Sequence, residues 1–442
     1  MKKNMSYNYI LKVGFIIGLL LLFLVPFIMI RGIVLDRQHR SAEAEQEIIS
    51  LWGGRQTIAG PFITVPYKKI ITEETENGVK SRAYTSYFFI TPEKLNIRSA
   101  MSSEMRTRGI YEIPVYQTEA VLSGSFTLPD ISGLHIEERD IYWDEALLTL
   151  ELPDMRAIKT GTEFRWNDSV VPLSSGVSRT GIFTNNLQGA LWQLKERNYF
   201  VIDLKLRGAG SLSFIPFGNQ TDVQLESDWP APSFYGAFLP EERSLLDEEG
   251  FTASWSVHSL ARSFPTVWKQ DDMDRSSIIN SSFGVNLFKP VDMYAKAERS
   301  VKYGMLFIIL PFIAFFLLEV FSKNRIHMLQ YLMVGAANTI FYLLLLSLSE
   351  HIGFNPAYLI GAAATSALIV LYSTAILPTK KQGLIMAPVM VALYTFLFTV
   401  LQSEDYALLI GSLGLFALVA LVMMLTRKVD WYSLNQLFSK SE

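Results

Sequence analysis

Gly304–Phe321 reads GMLFIILPFIAFFLLEVF. Four more segments of the same kind follow: Met328–Leu348 (MLQYLMVGAANTIFYLLLLSL), Ala357–Leu377 (AYLIGAAATSALIVLYSTAIL), Leu384–Leu401 (LIMAPVMVALYTFLFTVL) and Tyr406–Leu425 (YALLIGSLGLFALVALVMML). A hydrocarbon core roughly 30 Å thick is crossed by about 20 helical residues. Each segment has that length, and none contains Lys or Arg. A cation at the centre of a spanning helix would cost roughly 2.5–3.5 kcal/mol, whereas an amphipathic helix of a soluble core would show a polar face. The five segments therefore read as transmembrane helices.

The connections between them carry a charge code. Ser322–His327 holds Lys323 and Arg325, Pro378–Gly383 holds Lys380 and Lys381, and Arg427 and Lys428 follow the last segment. Glu350–Pro356 and Gln402–Asp405 have no Lys or Arg and carry Glu350, Glu404 and Asp405. Basic loops stay on the cytoplasmic side, so Tyr303 is expected outside and the C-terminus inside. At the other end of the chain, Lys2, Lys3 and Lys12 flank the apolar run Val13–Ile30. The triplet Ala42-Glu43-Ala44 resembles a signal cleavage site but lies far beyond that run, behind Arg31, Asp36, Arg37 and Arg40. A retained anchor with its N-terminus inside is the expectation. One helix out, a long external segment and five helices ending inside then close the parity. The cluster Lys289, Lys296, Arg299 and Lys302 falls on the external side, but translocation of long segments is largely independent of charge.

Composition agrees. Half of the 442 residues are hydrophobic and the formal net charge is −3. That balance, with no run of Lys and Arg, argues against nucleic-acid binding. The chain has no cysteine, which excludes disulfides and thiolate chemistry.

Residues 31–302 alternate with period two. Phe200, Ile202, Leu204 and Leu206 interleave with Asp203, Lys205 and Arg207; Leu148–Leu152, Val223–Glu226 and Thr252–His258 repeat the pattern. Alternation punctuated by Leu128-Pro129-Asp130, Leu152-Pro153-Asp154 and Asp228-Trp229-Pro230 predicts antiparallel strands with one wet face. The two Leu-Pro-Asp triplets suggest consecutive hairpins. Asp36–Leu51 should continue the first helix outward, Ala295–Lys302 should lead into the second, Leu187–Lys195 suits a short helix, and Ile71–Lys80 reads as a solvated hairpin loop. The expected architecture is an α+β membrane protein. Residues 1–30 hold the cytoplasmic N-terminus and first transmembrane helix, and 31–302 a mainly-β, antiparallel, sandwich-like periplasmic domain. Residues 303–427 form a five-helix transmembrane bundle, and 428–442 a cytoplasmic tail.

Few residues suggest chemistry. No Gly-x-Ser-x-Gly, His-Glu-x-x-His or phosphate-loop motif occurs. His135 with Glu137 and Glu138 has ligand types for zinc but fits a surface loop better. No metal site, no cofactor and no catalytic residue is expected, so the chain reads as a non-enzyme. Glu319 is the one ionisable residue inside the apolar runs, and its spacing suits an interfacial pair with Lys323. Glu350 and His351 fall at an outer helix end. Gly335–Asn338 and Gly361–Thr365 offer small-residue faces for helix packing, with Gly361 and Thr365 the places to look for a substrate path. Tyr303, Tyr331, Tyr358, Tyr406, Trp431 and Tyr432 fit interfacial belts. In the external domain, Gly208–Pro240 spaces aromatics with Pro and Gly. Trp229, Pro230, Phe234 and Tyr235 are either a contact surface or a cap on the core.

The chain resembles the CreD inner-membrane proteins of Gram-negative bacteria along essentially its full length. The resemblance rests on Gln56–Pro61 with Val65-Pro66-Tyr67, Ser227–Pro230 with Pro232-Ser233-Phe234, Phe288–Asp292, Glu298–Tyr303 and, above all, Tyr342–Phe354. It implies a role in cell-envelope integrity and envelope stress under a two-component system, with effects on tolerance to colicins and β-lactams. It carries over no catalytic residue or ligand. The implied partners are the lipid bilayer and, for the external domain, peptidoglycan, an envelope glycan or another envelope protein. The alternative is a transporter or channel-like protein that uses its six helices, with the external domain as substrate receiver.

Topology is directly testable in a cysteine-free chain. A Ser256→Cys variant should react with an impermeant maleimide in intact spheroplasts. Labelling only after lysis would place residues 31–302 inside.

Overall fold

A computed structural model describes residues 9–75, 78–245, 249–287, 293–322, 326–403 and 406–427. The matches at Phe288–Asp292 and the expectations for Lys323, Arg325, Glu404, Asp405, Lys428, Trp431 and Tyr432 lie outside the described residues. The chain divides into two compact units, residues 42–290 and residues 1–41 with 291–442.

Six helices among the described residues are long and apolar enough to cross a membrane. The first, α1, runs without a break over Tyr9–Leu51, so the charged stretch after Asp36 does continue it. A short α2 (Arg275–Ile279) belongs to the other unit. The amphipathic α3 (Met293–Lys302) follows, then α4 (Gly304–Ser322), α5 (Met328–Ile352), α6 (Phe354–Ile376), the short α7 (Lys380–Leu384), α8 (Met386–Gln402) and α9 (Ala407–Thr426). Two loops are tighter than expected. Only Gly353, at φ 78, separates α5 from α6. A left-handed glycine reverses the chain without a Cβ clash, and Pro356 fits the first turn of α6, where its missing N–H has no helical acceptor. Lys380 and Lys381 lie in α7, whose cap Thr379 accepts a bond from the Gln382 N–H.

The other unit is a β structure of two sheets. Its strands are β1 (Gln56–Thr75), β2 (Gly78–Ile90), β3 (Lys94–Arg108), β4 (Tyr111–Thr127), β5 (Leu147–Glu151), β6 (Glu163–Trp166), β7 (Ser169–Val171), β8 (Ser174–Val177) and β9 (Asn185–Ala190). They continue with β10 (Arg197–Ala209), β11 (Ser211–Ile215), β12 (Gln220–Ser227), β13 (Pro232–Gly236), β14 (Glu242–Leu245), β15 (Phe251–His258), β16 (Val267–Lys269) and β17 (Phe283–Leu287). One sheet runs β13-β17-β11-β1-β5-β9-β8, with β2 paired to β1 and β16 to β2; the other runs β14-β15-β12-β3-β4-β10-β6-β7. The main apolar core takes Phe62, Phe89, Leu148 and Phe214 from the first sheet and Leu122, Phe126, Phe200 and Trp255 from the second.

Alternation identifies the second sheet well. On β10 the residues Phe200, Ile202, Leu204 and Leu206 point inward, and β12 and β15 follow the same rule. The first sheet departs from it. Leu148–Glu151 of β5 and the whole of β11 are buried on both faces, and loop residues 178–183 close over Glu151. Pairing is antiparallel except at β1–β11 and β3–β12, which are parallel. The Leu-Pro-Asp triplets end β4 and β5, which belong to different sheets, so they mark sheet crossings and not consecutive hairpins. Leu187 pairs with Leu150 in the β5–β9 ladder, so the expected helix Leu187–Lys195 is a strand followed by a turn. The expected loop at Ile71–Lys80 is largely ladder, paired from Ile71↔Arg82 to Thr75↔Gly78.

Glu151 is fully buried, and its three partners are neutral. Ser178 Oγ and Thr180 Oγ1 donate to Oε1 at 2.6 and 2.8 Å, and the Phe183 N–H to Oε2 at 3.2 Å. Burial outweighs these donors and raises its pKa above the ordinary carboxylate value. The folded state then holds this proton more tightly than the unfolded state. The resulting stability is complete below the unfolded pKa and is lost as pH rises through the folded one. Seven of the eight tryptophans, all but Trp431, fall within 42–290, so tryptophan fluorescence reports this unit. Relative to Glu151→Gln, the wild-type unit should gain stability in such melts as pH falls from about 8 to about 5. A difference that is flat or of opposite sign would contradict this account.

Candidate functional site

The stripe Leu19, Phe23, Phe27, Ile30 and Val34 on α1 is buried, while Leu21, Leu22, Val25, Ile28 and Met29 of the same helix are exposed. Steps of three and four residues put the buried set on one face. The small residues of the bundle receive it. A Cβ at Gly335 would overlap the Phe23 ring, and one at Gly304 the Phe27 ring. Phe23 meets Phe312 edge-on at 6.4 Å, and Phe27 meets Tyr342 at 5.3 Å.

At the start of that stripe stands Lys12. Its ammonium pairs with the Glu319 carboxylate of α4 and donates to the Ile326 carbonyl at 2.8 Å. It also lies 5.1 Å from the centre of the Tyr331 ring on α5. The Tyr331 hydroxyl donates to Glu319 Oε2 at 3.3 Å. Lys12 and Glu319 are each 1% exposed. Taking either charge alone out of water costs several kcal/mol, which mutual pairing and added hydrogen bonds offset. The cluster joins α1, α4 and α5.

A second polar layer lies at the other end of these helices. The Tyr294 hydroxyl donates to Glu350 Oε1 at 3.2 Å, and Arg37 Nε stands 3.7 Å from the same oxygen. Lys296, buried on α3, donates to Gln402 Oε1 at 2.8 Å and sits over the Phe354 ring at 5.8 Å. Gln402 Nε2 in turn donates to Asn355 at 2.8 Å. Midway between the layers, the Tyr358 hydroxyl donates to the Tyr394 carbonyl at 2.7 Å, and the Tyr394 hydroxyl to Asn338 Oδ1 at 3.3 Å. Asn338 Nδ2 closes on the Val334 carbonyl at 3.0 Å.

The sequence matches the family described as "Inner membrane protein CreD" over residues 8–432. It is 30% identical over 438 residues to the inner membrane protein CreD of Escherichia coli (strain K12), an alignment that covers 96% of this chain and 94% of that protein. The chain belongs to the CreD family. Together with the six apolar helices, this makes it a polytopic membrane protein.

In this CreD-family chain the residues singled out from sequence fall in three settings. Glu350 is in the second polar layer, while His351 beside it is exposed, its Nδ1 3.0 Å from the Ser347 carbonyl. Gly361 and Thr365 are buried on α6, and a Cβ at Gly361 would lie 3.2 Å from the Phe341 ring. In the β unit, Trp229 is 8% exposed and gives its indole N–H to the Ala231 carbonyl at 3.0 Å. Phe234 meets Phe251 and Trp255 edge-on at 5.5 and 5.8 Å. The Tyr235 hydroxyl pairs with Ser213 Oγ, and Pro230 alone of the four is exposed. The rings of Trp229 and Phe234 thus pack on the core and present little contact surface.

Several expectations for the bundle need correction. Glu319 is fully buried and bonded to Lys12, not snorkelling at an interface. Tyr331 and Tyr358 are 1% exposed and serve the interior instead of a belt. Lys12, Tyr294, Lys296, Asn338 and Gln402 were not singled out as site residues. A lone carboxylate in an apolar run signals that a cation exists, but its sequence neighbourhood pointed to Lys323.

Removing one member of the buried pair strands the other charge, at a cost of about 3–5 kcal/mol. Lys12→Met and Glu319→Leu should each lower the yield and the melting temperature of detergent-extracted protein, and the double variant should recover most of both. Equal losses in single and double variants would show that the charges do not act as a pair.

Proposed function

We propose that this chain is a non-catalytic inner-membrane protein that supports cell-envelope integrity under stress. Residues 31–302 would lie in the periplasm, with the β unit as the contact surface. The basic and non-basic loops of the sequence support that orientation, and membership of a family described as inner membrane proteins supports the location. One structural observation carries the division of labour. The two polar layers of the bundle and the Tyr358–Tyr394–Asn338 bonds between them link one helix to another, whereas the β unit carries an open cleft of about 920 Å³ with an exposed indole, Trp192, on its rim. Peptidoglycan, an envelope glycan and another envelope protein are the classes of partner such a surface could meet.

Full-length variants in a strain lacking the protein separate this reading from transport. Thr365→Val, Glu350→Gln and His351→Ala alter the membrane segments without removing a core ring. At normal protein levels, each should restore survival in bile-salt detergent as the wild type does. Loss of rescue by these variants would move the active part into the helices.

A further inference from the structure

The cleft lies between residues 128–144 and the turn at 191–194, two segments joined through the core of the β unit. Its floor is apolar, made by Leu128, Ile136, Leu191, Leu194 and the Trp143 ring. Trp143 is fixed edge-on to Phe88 at 5.8 Å. Backbone bonds hold the walls: the Leu128 N–H to the Glu196 carbonyl at 3.0 Å, and the Leu191 N–H to the Ala146 carbonyl at 2.9 Å. The site is thus formed before anything binds, as small-ligand and peptide pockets usually are.

The rim is unusual in two respects. Trp192 is 60% exposed, although Leu191 before it is buried and Leu194 after it is partly so. Gln193 between them has φ 59, a left-handed backbone that non-glycine residues adopt only when their surroundings impose it. The turn therefore sends both leucines inward and leaves the indole at the edge. Three exposed carboxylates, Asp130, Glu138 and Asp144, line the same cleft, and among the described residues no Lys or Arg lines it. Asp130 accepts from the Ser132 N–H at 2.9 Å and its hydroxyl at 3.0 Å, which keeps it ionised.

We propose that this cleft binds a cationic, partly aliphatic segment of another polypeptide. An Arg or Lys of the partner lies over the Trp192 face among the three carboxylates, and a neighbouring aliphatic side chain covers Leu191, Leu194 and Trp143. Cations are drawn to indole faces, and complementary charge selects the partner. A neutral glycan could stack on Trp192 but would gain nothing from the charge of the three carboxylates. An anionic polymer or phosphate headgroup would be repelled. This inference rests on the reading of the β unit as the contact surface and specifies the chemistry of what it contacts.

The test uses the full-length protein in nanodiscs of zwitterionic phosphatidylcholine and a fluorescently labelled, acetylated and amidated Arg-Leu-Arg-Leu-Arg peptide, read by anisotropy. Saturable binding is expected, with none for the Glu-Leu-Glu-Leu-Glu counterpart. Trp192→Ala should weaken it about fivefold, and the double variant Glu138→Gln/Asp144→Asn should weaken it and flatten its dependence on salt. Leu260→Ala, a 91% exposed position outside the cleft lining, should leave it unchanged. All four altered positions are exposed, and an unchanged melting transition checks the fold of each variant. The proposal falls if the cationic peptide fails to saturate, or if Trp192→Ala and the double variant bind it like wild type. It falls equally if a β-1,4-linked N-acetylglucosamine hexamer is the probe that binds and that Trp192→Ala abolishes. Because binding is read without cell survival, failure here leaves the envelope-integrity reading standing, and failure of rescue by the helix variants leaves this site standing.

Discussion

The membrane half of this protein depends on one constraint: a polar group inside lipid must find its partner within the protein. Glu319 is the clearest case. Its carboxylate sits in an otherwise apolar helix, and the cation that meets its Oε2 is Lys12, on a helix that other topologies could treat as a detachable anchor. The aromatic stripe of α1 then falls into register against Gly304 and Gly335, where the absent Cβ atoms leave room for Phe27 and Phe23. Small residues and a charge pair act together: the glycines allow the close approach, and the ion pair selects which face of α1 makes it.

The β unit is organised by a different constraint. A chain that builds two large sheets must cover their faces, and it does so unequally. The eight-stranded sheet turns one face to the core and leaves the other wet, as the alternation on β10, β12 and β15 requires. The nine-stranded sheet has β5 and β11 covered on both sides, so polar residues on them need internal partners. Thr149 bonds Thr64 at 2.9 Å, and Glu151 is met by the hydroxyls and amide of residues 178–183. The last turns of α1 join this unit too: Ile49 packs with Val115 and Ala209, and Trp52 lies under the guanidinium groups of Arg106 and Arg207 at 4.6 and 5.4 Å.

Those constraints explain what could be read from the sequence. Transmembrane helices announce themselves because lipid demands uninterrupted apolarity, and wet-faced strands because water demands alternation. Both signals are local. What the sequence hid is non-local. The partner of Glu319 is 307 residues away. The parallel pairing of β1 with β11 depends on a strand some 150 residues downstream, and the move from β4 to β5 between sheets leaves no periodicity to detect. For Trp229 and Phe234, spaced by Pro and Gly, a contact surface and a cap on the core were both readable, and the pairing of β13 with β17, which brings Phe234 to Trp255, is what decides for the core. Trp192 was concealed in the opposite way, inside a stretch whose spacing suggested a helix.

The distance between Lys12 and Glu319 also sets an order of events during synthesis. At roughly 5–20 residues per second, the ribosome takes about 15–60 s to reach α4 after making α1. Throughout that interval α1 has none of its bundle neighbours, and Lys12 can stay solvated only near the membrane surface. The whole of residues 42–290 is made before the bundle can close. The β unit can therefore be complete while the membrane unit is still a single helix, and Lys12 cannot be buried until α4 and α5 have been made.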